Sequence, residues 1–226
     1  MATQHGIPGE WARVRGTVLS LWPLFVAFTC LGAFAAALAI GRATVLFAIL
    51  FFVSLAAVAL LWRKGVRRVA SFFVGARGEE RVAGLLATLP ADYDVFHDFV
   101  AAGTPVDHVV VGAAGVYSIE TKNWRGAITL TKDRNLLVDG HVADRSPIRQ
   151  TIREADAVQA ELAKAGWEGE ITPVLCFASD TFDRGAERAG SALLINAKEL
   201  CGWLKSRPEV LAPAERERLV QLMAAR

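Results

Sequence analysis

Two uncharged apolar stretches stand almost back to back near the start of this chain, and the residues outside them are too few to enclose both. The first runs from Val18 to Ile40, 23 residues. The second follows Gly41-Arg42-Ala43 and runs from Thr44 to Trp62, 19 residues. As helices they reach about 34 Å and about 28 Å, against a hydrocarbon core of about 30 Å, so each can span a bilayer. The three-residue connection allows only a tight helical hairpin. A cleaved signal sequence, with Ala37-Leu38-Ala39 as its processing site, fits less well, because the apolar run is longer than the usual signal core. No Asp, Glu, Lys or His interrupts either stretch, so the hairpin reads as an anchor rather than an ion path.

Charge placement orients the hairpin. Arg13 and Arg15 precede it, Arg63, Lys64, Arg67 and Arg68 follow it, and the turn offers only Arg42. By the positive-inside rule both ends face the cytoplasm, with Trp22 and Trp62 as interfacial anchors. The expected location is the cell (inner or plasma) membrane, multi-pass, with the N-terminus and the C-terminal domain in the cytoplasm. Residues 1–68 carry seven Lys/Arg against one Glu (+6), and residues 69–226 carry 18 against 22 acids (−4). The basic excess therefore belongs to the membrane flank and is no argument for nucleic-acid binding. The three cysteines, Cys30, Cys176 and Cys201, have no metal or redox spacing, which excludes a disulfide scaffold and a zinc site.

The remaining sequence predicts an α/β layout. The expected segments are 1–17 as a cytoplasmic lead, 18–62 as the hairpin (18–40 and 44–62), 63–69 as a basic linker and 70–226 as the soluble domain. A helix over 71–89 is stopped by Pro90. Strands follow at 93–100, 106–112 and 116–122, the last two joined by the tight turn Ala113-Ala114-Gly115, with short strands at 128–130 and 135–138. A helix over 147–165, strands at 171–178 and 192–196, and helices from about 198 and about 213 complete the pattern.

Chemistry concentrates on two of these strands. In Val116–Lys122, Glu120 and Lys122 are two apart and project from one face. Asp107 starts the neighbouring antiparallel strand, close to the end of the strand that carries Glu120 and Lys122. Two carboxylates beside an ammonium make an oxygen-rich site suited to Mg²⁺ or Mn²⁺ and to phosphodiester hydrolysis. The plain alternative is a surface ion pair, since Glu-x-Lys is common on exposed strands. Val116 and Ile119 argue against it by making the strand half buried, where charged residues need a reason.

These residues resemble a known family. Gly75-Ala-Arg-Gly-Glu79, then Val106-Asp-His-Val-Val-Val-Gly112, then Gly115-Val-Tyr-Ser-Ile-Glu-Thr-Lys-Asn-Trp-Arg-Gly126 is similar to the nuclease-related domain, NERD, of the PD-(D/E)xK superfamily. The resemblance covers roughly residues 70–185. It implies a restriction-endonuclease-like fold, a four-stranded mixed sheet flanked by helices, and a divalent-metal nuclease site. Carried over by position, Glu79 matches the first-helix acid, Asp107 the strand acid, and Glu120 and Lys122 the E-x-K. Gln150 matches a polar residue of the following helix. Glu79, Asp107 and Glu120 would then hold Mg²⁺ or Mn²⁺, Lys122 would assist the nucleophile and Gln150 would support the site. Glu80 could replace Glu79. Where the superfamily has Pro-Asp, this chain has Pro105-Val106-Asp107.

Nucleic-acid contacts have weaker signals. Arg145, Arg149 and Arg153 recur every four residues, as a phosphate-facing stripe or a solvated helix face. Trp124 and Arg125, at the exit of the E-x-K strand, could meet a base or phosphate, although Trp124 also suits a structural role. His108 follows Asp107 and faces the opposite side, as a core histidine would. The expected function is hydrolysis of nucleic-acid phosphodiesters, DNA before RNA, by a domain held to the lipid bilayer through two transmembrane helices. The alternative is a non-catalytic membrane-tethered module that binds nucleic acid or nucleotide in the same cleft.

Overall fold

The computed structural model describes residues 1–41, 45–143, 146–182 and 184–225. The turn residue Arg42 and the stripe residue Arg145 lie outside them. The chain divides into two compact units, Trp11–Val74 and a second made of Met1–Glu10 with Gly75–Arg226.

The elements are β1 (Thr3–His5), α1 (Glu10–Ala39), α2 (Val45–Leu86), β2 (Asp94–Ala101), β3 (Thr104–Gly112), β4 (Gly115–Lys122), β5 (Ile128–Leu130), β6 (Leu136–Val138), β7 (His141–Val142), α3 (Pro147–Ala163), β8 (Ile171–Phe177), β9 (Glu187–Ala189), β10 (Ala192–Asn196), α4 (Ala197–Lys205) and α5 (Pro213–Ala224). Among the described residues, α1 alone is long and apolar enough to cross a membrane, with a mean hydropathy of 2.0 over its best window. A shorter apolar helical segment, Phe47–Leu60, lies within α2. Only 6% of the α1 window is buried, and Phe25, Phe28 and Phe52 are exposed, which is unlike the core helix of a soluble protein. Segment 63–69, expected as a linker, is helical and part of α2.

In the second unit the sheet runs β1-β2-β3-β4-β8-β10-β9. β2, β3 and β4 form an antiparallel meander, β8 joins β4 in parallel, and β10 joins β8 in parallel. This is the expected mixed α/β sheet, with seven strands among the described residues in place of the four that the resemblance implied. The extra strands lie at the margins. β9 pairs antiparallel with β10, and β1, from the stretch expected as a cytoplasmic lead, pairs in parallel with β2 from Thr3↔Asp94 to His5↔Phe96. A three-residue strand that pairs some 90 residues away has no local periodicity to reveal it.

Alternation along the strands buries both faces of the sheet. One face carries Val110, Tyr117, Ile119 and Val174 against Val82 and Leu86 of α2 and Leu200 and Leu204 of α4. The other carries Val109, Val111 and Val116 against Ala155, Val158 and Leu162 of α3 and Leu219 and Met223 of α5. α3 starts cleanly because the Ser146 hydroxyl accepts the Arg149 N–H and Pro147 fills its first turn.

One glycine sets how closely α2 approaches the sheet. A Cβ on Gly78 would lie 2.6 Å from Asn123 Cβ and 3.4 Å from Ala178 Cβ. Gly→Ala inside a helix ordinarily stabilises by about 1 kcal/mol. Here Gly78→Ala should instead destabilise by about 1–3 kcal/mol, because helix and strand ends must separate. Thermal melting of the full chain in detergent micelles measures the sign.

Candidate active site

The site sits where the sheet forks. β3 and β4 pair from Gly112↔Gly115 as far as His108↔Ile119, and the ladder stops there. Beyond that point β3 stays with β2 (Val106↔Phe99), while β4 stays with β8 (Glu120↔Leu175, Lys122↔Phe177). Asp107 and Glu120 are the first residues past the break. The Asp107 carboxylate fills the lost rung, accepting the Thr121 N–H on Oδ2 at 2.7 Å. The β2–β3 register is also interrupted opposite Asp107, at Asp98, whose φ of 47° is left-handed.

Around this fork the expected residues come together. Glu120 is 3% exposed, and its Oε1 accepts both the Lys122 ammonium and the Gln150 amide, the latter at 2.8 Å. Lys122 also donates to Gln150 Oε1 at 3.3 Å. Glu79 is buried and its charge acts on Asp107, whereas Glu80 is exposed, so Glu79 is the α2 acid of the cluster.

Glu154 was missed by the sequence reading. It is 4% exposed, one turn after Gln150, and accepts the second Gln150 amide proton on Oε1 at 2.8 Å. Its Oε2 is buried with no hydrogen-bond donor. A signal existed: Glu154 falls in the apolar stripe Thr151, Ala155, Val158 of α3, where a carboxylate is out of pattern.

The electrostatics follow from crowding acids where water is scarce. Burial, then the charges of Glu120 and Glu79, hold the Asp107 carboxyl well above its usual range, against the pull of Lys122 and the Thr121 N–H. Burial and then Glu120 push Glu154 up to about 9. Burial works against the charge of Lys122, but Glu120, Asp107 and Glu154 outweigh it and raise the ammonium above its ordinary value. In the metal-free cluster Lys122 is thus held as the cation and donates hydrogen bonds to Glu120 and Gln150.

As ligands, Glu79, Asp107 and Glu120 match a hard divalent cation in kind, since carboxylate oxygens are the donors such an ion prefers. Their closure is against it: among the described residues no three His, Cys, Asp or Glu side chains are grouped to hold a metal ion. Glu120 is turned to Lys122 and Gln150, and Asp107 to the Thr121 N–H.

The remaining expected residues lie outside the cluster. Trp124 is half buried and packs 6.3 Å from Phe177 between ring centres, with its carbonyl capped by Ser179, a structural role. Arg125, Arg149 and Arg153 are exposed, the last two on α3 beside Gln150 and Glu154. His108 is fully buried on the face opposite Asp107. Its Nδ1 meets His97 Nδ1 at 2.8 Å, and His97 Nε2 meets Gln4 Oε1 at 2.7 Å. Burial first, then the charge of His5, lowers His97 to about 4.

Comparison with protein families matched the nuclease-related domain model, NERD, to residues 74–178, a span holding Glu79, Asp107, Glu120, Lys122, Gln150 and Glu154. Comparison with curated proteins and with solved structures returned no match.

Two outcomes test the cluster directly. Asp107→Ala leaves the Thr121 N–H without its acceptor and should cost about 1–3 kcal/mol. Asp107→Asn keeps the oxygen, removes a crowded charge, and should melt no lower than wild type. The second outcome concerns pH. Because the folded value of Glu154 is raised, the stability tied to its neutral form is present below its unfolded value of 4.5 and lost as pH rises through about 9. Metal-free protein should therefore melt progressively lower across that range, and Glu154→Gln should flatten the decline.

Proposed function

Since residues 74–178 are a nuclease-related domain, we propose that the chain is a membrane-anchored nuclease that hydrolyses nucleic-acid phosphodiesters with Mg²⁺ or Mn²⁺. The observation that carries the reading is the gathering of Asp107, Glu120, Lys122 and Gln150 at the β3–β4 fork inside that domain. Asp107, Glu120 and Glu79 would hold the cation, which when bound would neutralise the scissile phosphate and acidify a water. Lys122, as a fixed ammonium, donates to the oxygen on which charge develops. Gln150 holds the Glu120 and Lys122 side chains in mutual register. Exposed Arg125, Arg149 and Arg153 are suited to phosphate contacts along the strand, with DNA the favoured substrate. The closed Glu120–Lys122 pair is the observation behind the rival reading, a non-catalytic module that binds nucleic acid or nucleotide in the same cleft.

The anchor rests on a topological constraint. β1 is hydrogen-bonded to β2, so residues 3–5 and 94–96 share one compartment. Any membrane crossing between them must occur an even number of times. If α1 crosses, the apolar segment of α2 crosses back, giving the two-span hairpin of 18–40 and 44–62. The basic flanks direct both ends to the cytoplasm.

The full chain is the right test material, because a piece starting near residue 69 would lack β1. In micelles with plasmid, linear DNA or RNA, cleavage should require Mg²⁺ or Mn²⁺ and stop with EDTA. Glu120→Ala and Lys122→Ala should each slow it about 100-fold or more. Wild type that binds metal and nucleic acid yet cuts nothing would transfer the site to the rival reading. For topology, protease should reach tags at both ends in inside-out vesicles and neither end in intact cells. One end reached from each side would exclude the hairpin.

A further inference from the structure

Gln150 is held by three partners at once. Its two amide protons go to Glu120 Oε1 and Glu154 Oε1, both at 2.8 Å, and its oxygen faces the Lys122 ammonium at 3.3 Å. A flipped amide would set its oxygen against the Glu120 carboxylate and its NH₂ against the Lys122 ammonium, so only one orientation is tolerable. Glu120 secures one proton alone. The second belongs to Glu154, one helical turn along α3, where (i, i+4) side chains meet.

Packing does not account for Glu154. It falls with Thr151, Ala155 and Val158 among the buried residues of α3 and keeps a buried Oε2 without a hydrogen-bond partner. A buried carboxyl group in that position costs stability and calls for a reason. We propose that Glu154 is a positioning residue that pins the Gln150 amide, so that Lys122 keeps a neutral oxygen partner beside Glu120. In its kinetic part this rests on the nuclease reading; in its structural part it does not.

The test compares wild type, Glu154→Leu and Glu154→Gln as full chains in micelles. Glutamine still offers an oxygen to the Gln150 amide, whereas leucine does not. The first readout is the Gln150 side-chain ¹⁵N–¹H pair, identified by its loss in Gln150→Ala. Both protons should exchange slowly in wild type and Glu154→Gln, and about 10-fold or more faster in Glu154→Leu. The second is nucleic-acid cleavage. Glu154→Leu should lower kcat about 10- to 100-fold with KM nearly unchanged. Glu154→Gln should recover to within about 3-fold of wild type, since it keeps the acceptor that positions Gln150.

Glu154→Leu should melt no lower than wild type, which separates lost positioning from lost folding. Wild-type amide exchange in Glu154→Leu would overturn the proposal, whatever its melting temperature. Glu154→Gln as impaired as Glu154→Leu would also overturn it, by showing that an acceptor for the Gln150 amide is not what position 154 supplies. If wild type cuts nothing, the nuclease reading fails, while amide exchange still decides the role of Glu154.

Discussion

The hydrogen bond from the Thr121 N–H to Asp107 is the contact on which the site depends. A sheet cannot open between two central strands without exposing backbone donors and acceptors, and each buried orphan costs free energy. Here the side chain of the first residue past the break takes up an orphan donor, and the strands diverge toward different neighbours, β3 to β2 and β4 to β8. The gap between them admits Glu120, Lys122 and Gln150. One residue thus stabilises the fork and supplies a carboxylate to it.

The cluster is poised rather than relaxed. Asp107, Glu120 and Glu154 all act on the Lys122 ammonium, and Asp107 and Glu154 are driven toward their neutral forms. Such an arrangement is costly in a folded protein unless a cation or a positively charged group of a ligand relieves it. The structure meets the cost locally: the Glu120–Lys122 pair, the Gln150 bridge and the Thr121 donor each neutralise or satisfy one member. Sites that favour the bound state over the free one are built with this kind of imbalance.

The N-terminal strand ties the two ends of the domain's sequence together across the apolar segments. Gln4 bonds His97, His5 pairs with Asp94 at 3.1 Å and stacks on Phe96. A glycine at position 6 lets the chain pass within contact of the His97 carbonyl, where a Cβ would lie 2.6 Å away. These contacts cover what would otherwise be an exposed edge of β2. They also make the leading residues part of the folded domain, so the apolar segments interrupt that domain in sequence without ending it.

Much of this is legible in the amino-acid sequence. Hydrophobic continuity marks the apolar segments because a bilayer-length run without charge has few soluble uses. Period-two alternation marks the meander. The spacing of Glu120 and Lys122, with Asp107 on the adjoining strand, forces them onto one face, because the strand repeat leaves no other choice. Pairings between distant residues left no such trace. β1 is too short to carry a pattern, and the choice of Glu79 over Glu80 depended on which side of α2 the close approach at Gly78 turns toward the sheet. Glu154 stood in plain view within an apolar stripe, but only the tertiary structure decided that its carboxylate meets Gln150 rather than solvent. Local periodicity records which face a residue occupies; what that face meets is set by chain closure over long separations, which sequence spacing does not encode.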